Sequence, residues 1–575
     1  MAADPSTLPE PQGRPEQGRG TTSSGSPRAE SRGDPPPPAD TIARSAASAG
    51  AATMTSRILG LVRDQVLSHY FGASDAMDAY RVGFRFPNLF RDLFAEGAMS
   101  AAFVPTFTRH LAESGKPSAW RLANLLVTTL VVITGAIAVL GILFAEPLVT
   151  ALAGKYGAVP GKLELTITLT RIMFPVLMLI AVAAAVMGML NSLRHFFIPA
   201  LSPAMFNVVT IAAAVLVVPF VIPGGAGAAP GTLSLNDLRL PIIIIAVSTV
   251  LGGVAQVALQ LPTLRREGFR VRPVLDWSDP GLRRVLLLMG PGTLGLAATQ
   301  LNVLVNMFLA VGEGTGAQTW LDLAFRLMYL PIGLFGVSIA TAVLPAISRH
   351  VVAHDTRASR DTLSDGLTLM LALNVPASVG LVVLSVPIVR VIFEHGQFLP
   401  RDTLATAAAL RFYALGLVGY SIVRIASPIF YALGRNRTPV VVSVITVLVN
   451  AGLNIVLVDV MGYRGLALGT SVAALFNATV LFVLLRRALG GLNEGRLLSS
   501  FVRIALASAV MGAVALLTDQ WLSAVVPPPI PWQILQVAAD IGAALGALAI
   551  TAWLLRIREF HDGMGMVLRR LRRRR

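Results

Sequence analysis

The sequence predicts an all-α membrane protein with fourteen transmembrane helices, and three observations lead to this fold class. Of the 575 residues, 54% are hydrophobic and only 14% are charged. Fourteen apolar segments of about 20 residues follow one another, which is the length that an α-helix needs to cross a bilayer. Arginine and lysine are concentrated in alternate loops between these segments, as expected for a multi-pass protein.

The segments begin after a polar tail, residues 1–40, rich in Pro, Ser, Gly, Glu and Arg. This tail has too little apolar area to offset its chain entropy, so we expect it to be disordered. The first two segments are the least hydropathic because they carry charged side chains. The predicted spans are 41–70, 76–108, 121–145, 163–191, 199–222, 240–262, 283–311, 319–346, 364–389, 402–432, 438–458, 465–486, 501–521 and 533–556.

The distribution of basic residues predicts the orientation. The richest loop holds six arginines between positions 265 and 284, and a basic tail, 559–575, follows the last span. Because basic loops face the cytoplasm, we expect both termini on the cytoplasmic side of the membrane. The opposite loops hold only Lys155, Lys162, Arg239, Arg390, Arg401 and Arg464.

An internal repeat divides the chain. The stretch FRFPNLFRDLFAEGAMSAAFVPTFTRH (84–110) resembles FRLMYLPIGLFGVSIATAVLPAISRH (325–350) at a shift of about 240 residues. Each period contains six helices, an even number, so the copies share one orientation and form a parallel repeat. We expect the substrate site between the two lobes. The predicted units are an N-lobe (41–264), a C-lobe (265–487) and two appended helices (488–558).

Charged residues in the first two spans are the main candidates for function. A charge near the bilayer centre costs about 2.5–3.5 kcal/mol, so these side chains must face one another or a hydrated cavity. At 100° per residue, most of those in the second span share one face, whereas Arg63 points about 120° away from Arg57 and Asp64 in the first. The nine charges are Arg57, Arg63, Asp64, Asp78, Arg81, Arg85, Arg91, Asp92 and Glu96.

Two interpretations of this cluster remain open. The charges could form salt bridges that only hold the bundle together. Alternatively, arginines in excess over acids could line a cavity for an anionic substrate, since the planar guanidinium suits phosphate and diphosphate oxygens. Arg326 of the second lobe matches Arg85 of the first in the repeat, so both lobes would contribute a cation.

A second constellation lies in the other lobe, where amides recur at four-residue spacing. Such oxygens could coordinate a monovalent cation, or the amides could hydrogen-bond between helices for about 0.6–2 kcal/mol each. No carboxylate accompanies them, which favours hydrogen bonding. The residues are Asn302, Asn306, Asn450, Asn454 and Thr470.

The sequence lacks the residues that several classes of enzyme and metal site require. The chain has no cysteine and no phosphate-binding P-loop, and its seven histidines are scattered without metal spacing. The formal charge of +16 resides largely in loops and the C-terminal tail, so it does not indicate nucleic-acid binding. We therefore expect a transporter rather than an enzyme.

Five motifs carry a family resemblance. SRILGLVRD (56–64), FGASDAMDAY (71–80), FRFPNLFRDLFAEGAMSAAFVP (84–105), MGPGTLG (289–295) and FRLMYLPIGLFGVSIATAVLP (325–345) closely resemble the MurJ/MviN family. These proteins are the lipid II flippases of peptidoglycan synthesis, and they belong to a larger exporter superfamily with two six-helix lobes. The resemblance covers nearly everything after residue 41.

The resemblance implies translocation of undecaprenyl-diphosphate-linked lipid II from the inner to the outer leaflet of the bacterial inner membrane by alternating access. It implies that the last two helices form a groove for the lipid tail. Some relatives have a sodium site, but here Asn302 or Asn306 stands where a carboxylate would be expected. The residues that it implies at the cavity or its gates are Arg57, Arg63, Arg91, Arg326, Asp64, Asp78 and Glu96.

Three alternatives remain beside this function. One is a flippase for another polyprenyl-diphosphate-linked glycan, and another is a multidrug exporter, which would need a more acidic cavity. The third is a scaffold that recruits wall-synthesis enzymes through residues 1–40. The expected partners are lipid II and membrane lipids.

Overall fold

The computed structural model describes residues 39–94, 98–333, 337–353, 355–525, 530–557 and 560. Within these ranges, side chains are described except at 39–49, 90–94, 98–101, 226, 290–299, 337–342, 351–352 and 530–531. Several predictions therefore concern residues that are not described. These are the disordered tail as far as residue 38, Glu96, the side chains of Arg91 and Asp92, and the basic tail from residue 561.

The described chain is built from α-helices joined by short connections. The first lobe contains α1 (Ala39–Phe71), α2 (Asp75–Phe94), α3 (Ala98–Leu143), α4 (Ala145–Ala153), α5 (Lys162–Met173), α6 (Val176–Ser192), α7 (Phe197–Leu216) and α8 (Leu235–Arg266). The second contains α9 (Pro280–Val311), α10 (Ala317–Pro331), α11 (Val337–Val352), α12 (Thr356–Val383), α13 (Ser385–Phe393), α14 (Pro400–Leu415), α15 (Leu417–Ala432), α16 (Arg437–Met461) and α17 (Tyr463–Ala488). The appended pair is α18 (Glu494–Val525) and α19 (Ile530–Leu554).

Where its residues are described, each predicted span is mostly helical, but several spans are broken. The span 163–191 divides into α5 and α6 around Pro175, which has no N–H to continue the helical ladder. The span 402–432 divides at Gly416, where α14 and α15 meet at 42°. There the hydroxyl of Ser471 donates to the carbonyl of Phe412 at 2.7 Å, replacing a hydrogen bond within the helix.

By length and composition, nine helices among the described residues can cross a membrane, or ten if α14 and α15 form one span. Helices α1 and α2 are not among these nine, in keeping with their charged side chains. The chain is a multi-pass membrane protein. The count of fourteen spans and the domain boundaries remain predictions.

The parallel repeat is confirmed by the order and packing of the helices. The nine-residue helices α4 and α13 begin 240 residues apart, at Ala145 and Ser385. The broken pairs α5–α6 and α14–α15 correspond, and α1 packs on α7 as α9 packs on α16. The helical backbone of α3 is also interrupted at Gly115, with φ of 74° and ψ of 179°, which is 240 residues before Asp355, where α12 of the second lobe begins. The appended pair packs on α12.

Helix α2 packs against both lobes and carries most of the charged side chains of the first two predicted spans. It packs on α5, α6 and α8 of its own lobe and on α9 and α10 of the other. The hydroxyl of Tyr80 lies 2.9 Å from that of Thr249, which fixes α2 against α8. With its apolar face held in this way, the charged face of α2 turns toward α10.

Candidate functional site: a cavity between the lobes

A cavity of about 580 Å³ lies between the lobes, bounded by α1, α2, α6, α7 and α8 on one side and by α10 on the other. Its apolar lining includes Ile180 and Phe206. Its charged lining is five arginines and two aspartates, so positive charge exceeds negative by three. These residues are Arg57, Arg63, Asp64, Arg81, Arg85, Asp322 and Arg326.

Asp64 joins the lobes at the centre of this lining. Its side chain is almost fully buried, with 1% exposed. One carboxylate oxygen accepts from the Arg63 guanidinium at 2.9 Å, and the other lies 2.6 Å from Arg326 across the lobe interface. A buried carboxylate needs such partners because an unpaired charge there would cost several kcal/mol.

Asp322 makes a second bridge between the lobes. It pairs with Arg81 of α2, and Arg326, one turn further along α10, lies 4.0 Å from the same carboxylate. Sequence reasoning missed Asp322. Its position four residues before Arg326 on one helix was the available signal, since such residues share a face.

Two arginines of the cavity have no ion-pair partner among the described residues. No described carboxylate lies within ion-pair distance of Arg57 or Arg85. Arg57 extends from α1 to the second lobe, where its guanidinium lies against the backbone of Gly333. The cavity therefore presents cations that an anionic substrate could engage.

Gly333 provides a test of this arrangement. A Cβ at this position would overlap the Arg57 guanidinium, so Gly333→Val should displace that side chain. We expect transport to fall on the order of 10-fold, because a small misplacement of a binding group is costly. The measurement compares the transport rate of the variant with that of the unaltered protein, in cells that contain equal amounts of each in the membrane.

The matched control is Gly452→Val, since a Cβ at Gly452 would meet open space. Arg57→Ala should remove the penalty of the Gly333 change, because the two substitutions act on one contact. Additive losses in the double variant would contradict the proposed contact.

Asp78 lies at the end of the bundle where α2 and α10 begin. Its carboxylate is fully buried and accepts from the backbone N–H of Gly316 at 2.7 Å. It also accepts from the N–H and hydroxyl of Thr319 at 3.1 and 2.7 Å. Asp78 of the first lobe thus caps the N-terminus of α10 in the second, where a negative charge is favoured.

Lys162 completes this junction. Its buried ammonium lies 2.7 Å from Asp75 and 3.3 Å from Asp78, and 3.9 Å from the centre of the Tyr156 ring. Thr315 donates to Asp75 at 2.7 Å. The starts of α2, α5 and α10 are therefore joined by one polar network. Sequence reasoning placed Lys162 only in a loop.

The amides of the second lobe form a ladder between α9 and α16. Asn450 donates to Asn302 at 2.6 Å and Asn454 donates to Asn306 at 2.5 Å, while Asn306 lies 3.5 Å from the Thr470 hydroxyl. The side-chain oxygens of Asn450 and Asn454 are buried without a donor among the described residues. These two oxygens could contact a cation, but none of the five residues of this cluster carries a carboxylate to neutralise it.

The structure brings most predicted site residues together. Arg57, Arg63, Asp64, Arg85 and Arg326 line the cavity, and Asp78 lies at the junction. The helical geometry predicted that Arg63 points away. That expectation was wrong for its guanidinium, because the long side chain folds back to Asp64 and over the Phe206 ring at 5.8 Å.

Several cavity residues were not assigned to substrate binding from sequence. Arg81 was seen only as part of the charged face, and Tyr329 was not interpreted. Tyr329 also accepts a hydrogen bond from Arg424 of α15, which was not considered. Arg91, Asp92 and Glu96 cannot be placed, since their side chains lie outside the described residues.

Comparison with known proteins gives consistent matches. A family model described as lipid II flippase MurJ matches residues 67–528. The lipid II flippase MurJ of Burkholderia cenocepacia is 34% identical over 439 residues, covering 76% of this chain and 82% of that protein. A probable lipid II flippase MurJ of Vibrio cholerae is 34% identical over 518 residues, covering 88% and 93%.

Solved structures agree. A lipid II flippase MurJ in an inward closed conformation superimposes with a TM-score of 0.71 at 28% identity, covering 88% of this chain and 99% of that one. An inward-facing MATE family multidrug resistance transporter of the MOP superfamily gives a TM-score of 0.62 at 15% identity, covering 77% and 98%. The second likeness concerns the fold alone. Together, the family match across most of the chain and the relatives at 34% identity show that this protein belongs to the lipid II flippase MurJ family.

Proposed function

We propose that this protein is a flippase that moves lipid II from the inner to the outer leaflet of the bacterial inner membrane. The observation that carries the proposal is the interlobe cavity, in which five arginines face two aspartates. The substrate combines a diphosphate with a sugar-peptide head group and a long apolar chain. The family membership supports the same substrate.

The arginines would hold the diphosphate. Arg57 and Arg85 have no described carboxylate partner, so their guanidinium groups can donate to phosphate oxygens without first losing an ion pair. Arg326 is shared between Asp64 and Asp322, and the substrate would compete with these carboxylates for it. Binding would therefore rearrange the bonds that join the lobes.

This rearrangement supports transport by alternating access. If the termini are cytoplasmic, the junction of Asp78 and Lys162 lies on the outer side of the membrane and closes the cavity there. Release of Asp78 from α10 would open the outer side, while the lobes would close on the cytoplasmic side. The apolar surface of α18 and α19 would accompany the lipid chain, with Leu517, Leu545 and Trp553 exposed.

The proposal is tested in proteoliposomes that contain the purified protein and defined polyprenyl diphosphate lipids. Lipid II should cross to the opposite leaflet faster than in protein-free vesicles. Transport of another lipid-linked glycan without lipid II, or of cationic drugs only, would contradict the assignment. Deletion of residues 1–38 should leave transport intact, whereas a scaffold that acts through this tail would fail in cells.

A cation at the amide ladder is tested separately by thermal unfolding in sodium, potassium and choline chloride. We expect no preference for sodium in the native protein, because its ladder oxygens are neutral and its amides bond to one another. Asn454→Asp should create a sodium preference, which at 100 times the dissociation constant amounts to about 2.7 kcal/mol. A sodium-specific rise in the unaltered protein would instead place the ion at Asn306, Asn450, Asn454 and Thr470.

A further inference from the structure

A carboxylic acid in the appended helix pair plays no part in the cavity. Asp540 of α19 has no exposed surface, and neither of its side-chain oxygens has a hydrogen-bond partner among the described residues. It lies ten residues after the start of α19, a helix that is apolar enough to cross a membrane. At 1.5 Å per residue this is about 15 Å along the helix, close to the middle of a hydrocarbon core of about 30 Å.

The side chains of α19 and its neighbouring helices form an apolar buried cluster. Helix α19 packs on α18 and also contacts α12 and α13. The buried cluster between these helices includes Met511 and Ala515 of α18, Ala544 of α19 and Leu384 next to α13. None of these side chains can donate a hydrogen bond to a carboxylate.

The charged groups on the neighbouring helices do not neutralise Asp540. On α18, Asp519 is the nearest, and it accepts a hydrogen bond from Gln536 at 3.1 Å, one turn before Asp540 on α19. On α13, Arg390 lies 3.6 Å from Glu394. The other charged residues of these elements lie toward the opposite ends of α12 and α18. They are Arg357, Arg360, Asp361, Asp365, Glu494, Arg496 and Arg503.

An ionised carboxylate in this position would be a buried charge without a partner. Its desolvation would cost several kcal/mol, and the negative charge of Asp519 would add repulsion. Protonation removes the charge, so the neutral acid is the form compatible with this packing.

We propose that Asp540 is a proton-binding site, which holds a proton while α19 is packed against α18 and releases it only when the pair separates. The proton would enter or leave from the end where Asp519 and Gln536 lie, since these polar groups lead from the end of the helix pair toward Asp540. Proton binding would then control the packing of the appended helices. This inference does not depend on which lipid the protein transports.

Infrared spectroscopy of the purified protein in nanodiscs at pH 7 tests the proposal. The spectrum of the native protein minus that of Asp540→Asn should contain the C=O band of a protonated carboxylic acid. The same difference with Asp519→Asn, the matched control, should contain carboxylate bands instead. Asp540→Glu keeps an ionisable group and should keep the band of a protonated acid. If Asp540→Asn is poorly folded, Asp540→Glu provides the second measurement.

Thermal unfolding gives an independent readout. Because the packed state holds a proton that the unfolded state releases, the native protein should lose stability as the pH rises. Asp540→Asn, which is neutral at every pH, should show a smaller loss, and Asp519→Asn should not reduce the loss to the same degree. Carboxylate bands for Asp540 at pH 7, or equal pH dependence in the native protein and Asp540→Asn, would overturn the proposal.

Discussion

Replacement of Arg326 by alanine is expected to reduce lipid II transport on the order of 30-fold while the protein still inserts into the membrane. Arg326 lies 2.6 Å from the buried Asp64 and 4.0 Å from Asp322. Its removal leaves Asp64 with Arg63 alone and breaks the ion pair between α1 and α10. Truncating one member of such a pair costs about 2–5 kcal/mol, and the partial exposure of Arg326 favours the lower end.

Transport in proteoliposomes at matched protein density measures this loss. Arg326→Lys is the informative control, because it keeps the charge but not the planar fork, so it should recover only part of the activity. Combining Arg326→Ala with Asp64→Asn also removes the negative charge that Arg326 had neutralised together with Arg63. If the bridge matters only for stability, the double variant should regain transport. Full transport activity of Arg326→Ala itself would contradict a role for this arginine both in substrate binding and in the bridge between the lobes.

Replacement of Asp78 by alanine is expected to open the junction at the start of α10. The substitution removes the acceptor for Gly316 and Thr319 and leaves the buried Lys162 with Asp75 alone. Breaking a buried charge network of this kind costs about 3–5 kcal/mol. The equilibrium between the closed and open junction should therefore move by more than about 100-fold, since 1.4 kcal/mol corresponds to a factor of ten.

Cysteine accessibility reports this opening, and the chain contains no native cysteine. A cysteine at Gln318, which lines the cavity and is 8% exposed, should react slowly with a membrane-impermeant maleimide added from outside. In the Asp78→Ala background the reaction should become much faster. Asp237→Ala is the matched control, since Asp237 is a partly exposed residue of the N-terminal capping box of α8 and its hydrogen bonds stay within its own lobe. Equal labelling in both backgrounds would contradict a gate at Asp78.

The salt-bridge and the binding interpretations of the charged cluster prove to be compatible. Asp64 and Asp322 each join the two lobes, as a structural role requires. The same cavity contains Arg57 and Arg85 without a described carboxylate partner, which favours anion binding. A substrate that competes for Arg326 would therefore couple binding to the contact between lobes.

The sequence by itself determined the fold class, the parallel repeat and the helix faces on which most charges of the first two helices lie. Hydropathy reports the membrane because burial in lipid demands long apolar helices, and a charge in such a helix must face a partner or water. These are local rules, so spacing alone placed Arg57 and Asp64 on one face of the first helix and Arg85 on the charged face of the second. The repeat likewise identified Arg326 before any contact was known.

Only the tertiary structure decided which of these charges meet. Asp78 and Gly316 are 238 residues apart, and Arg81 and Asp322 are 241 apart, so no helical periodicity relates them. Arg63 was misjudged because its backbone direction does not fix where a long, flexible side chain ends. Lys162 and Asp540 became candidates for function only because the structure shows that they are buried. Burial depends on neighbouring helices that the local sequence does not specify. Pairing across the lobes is a property of packing, and packing is what sequence periodicity leaves open.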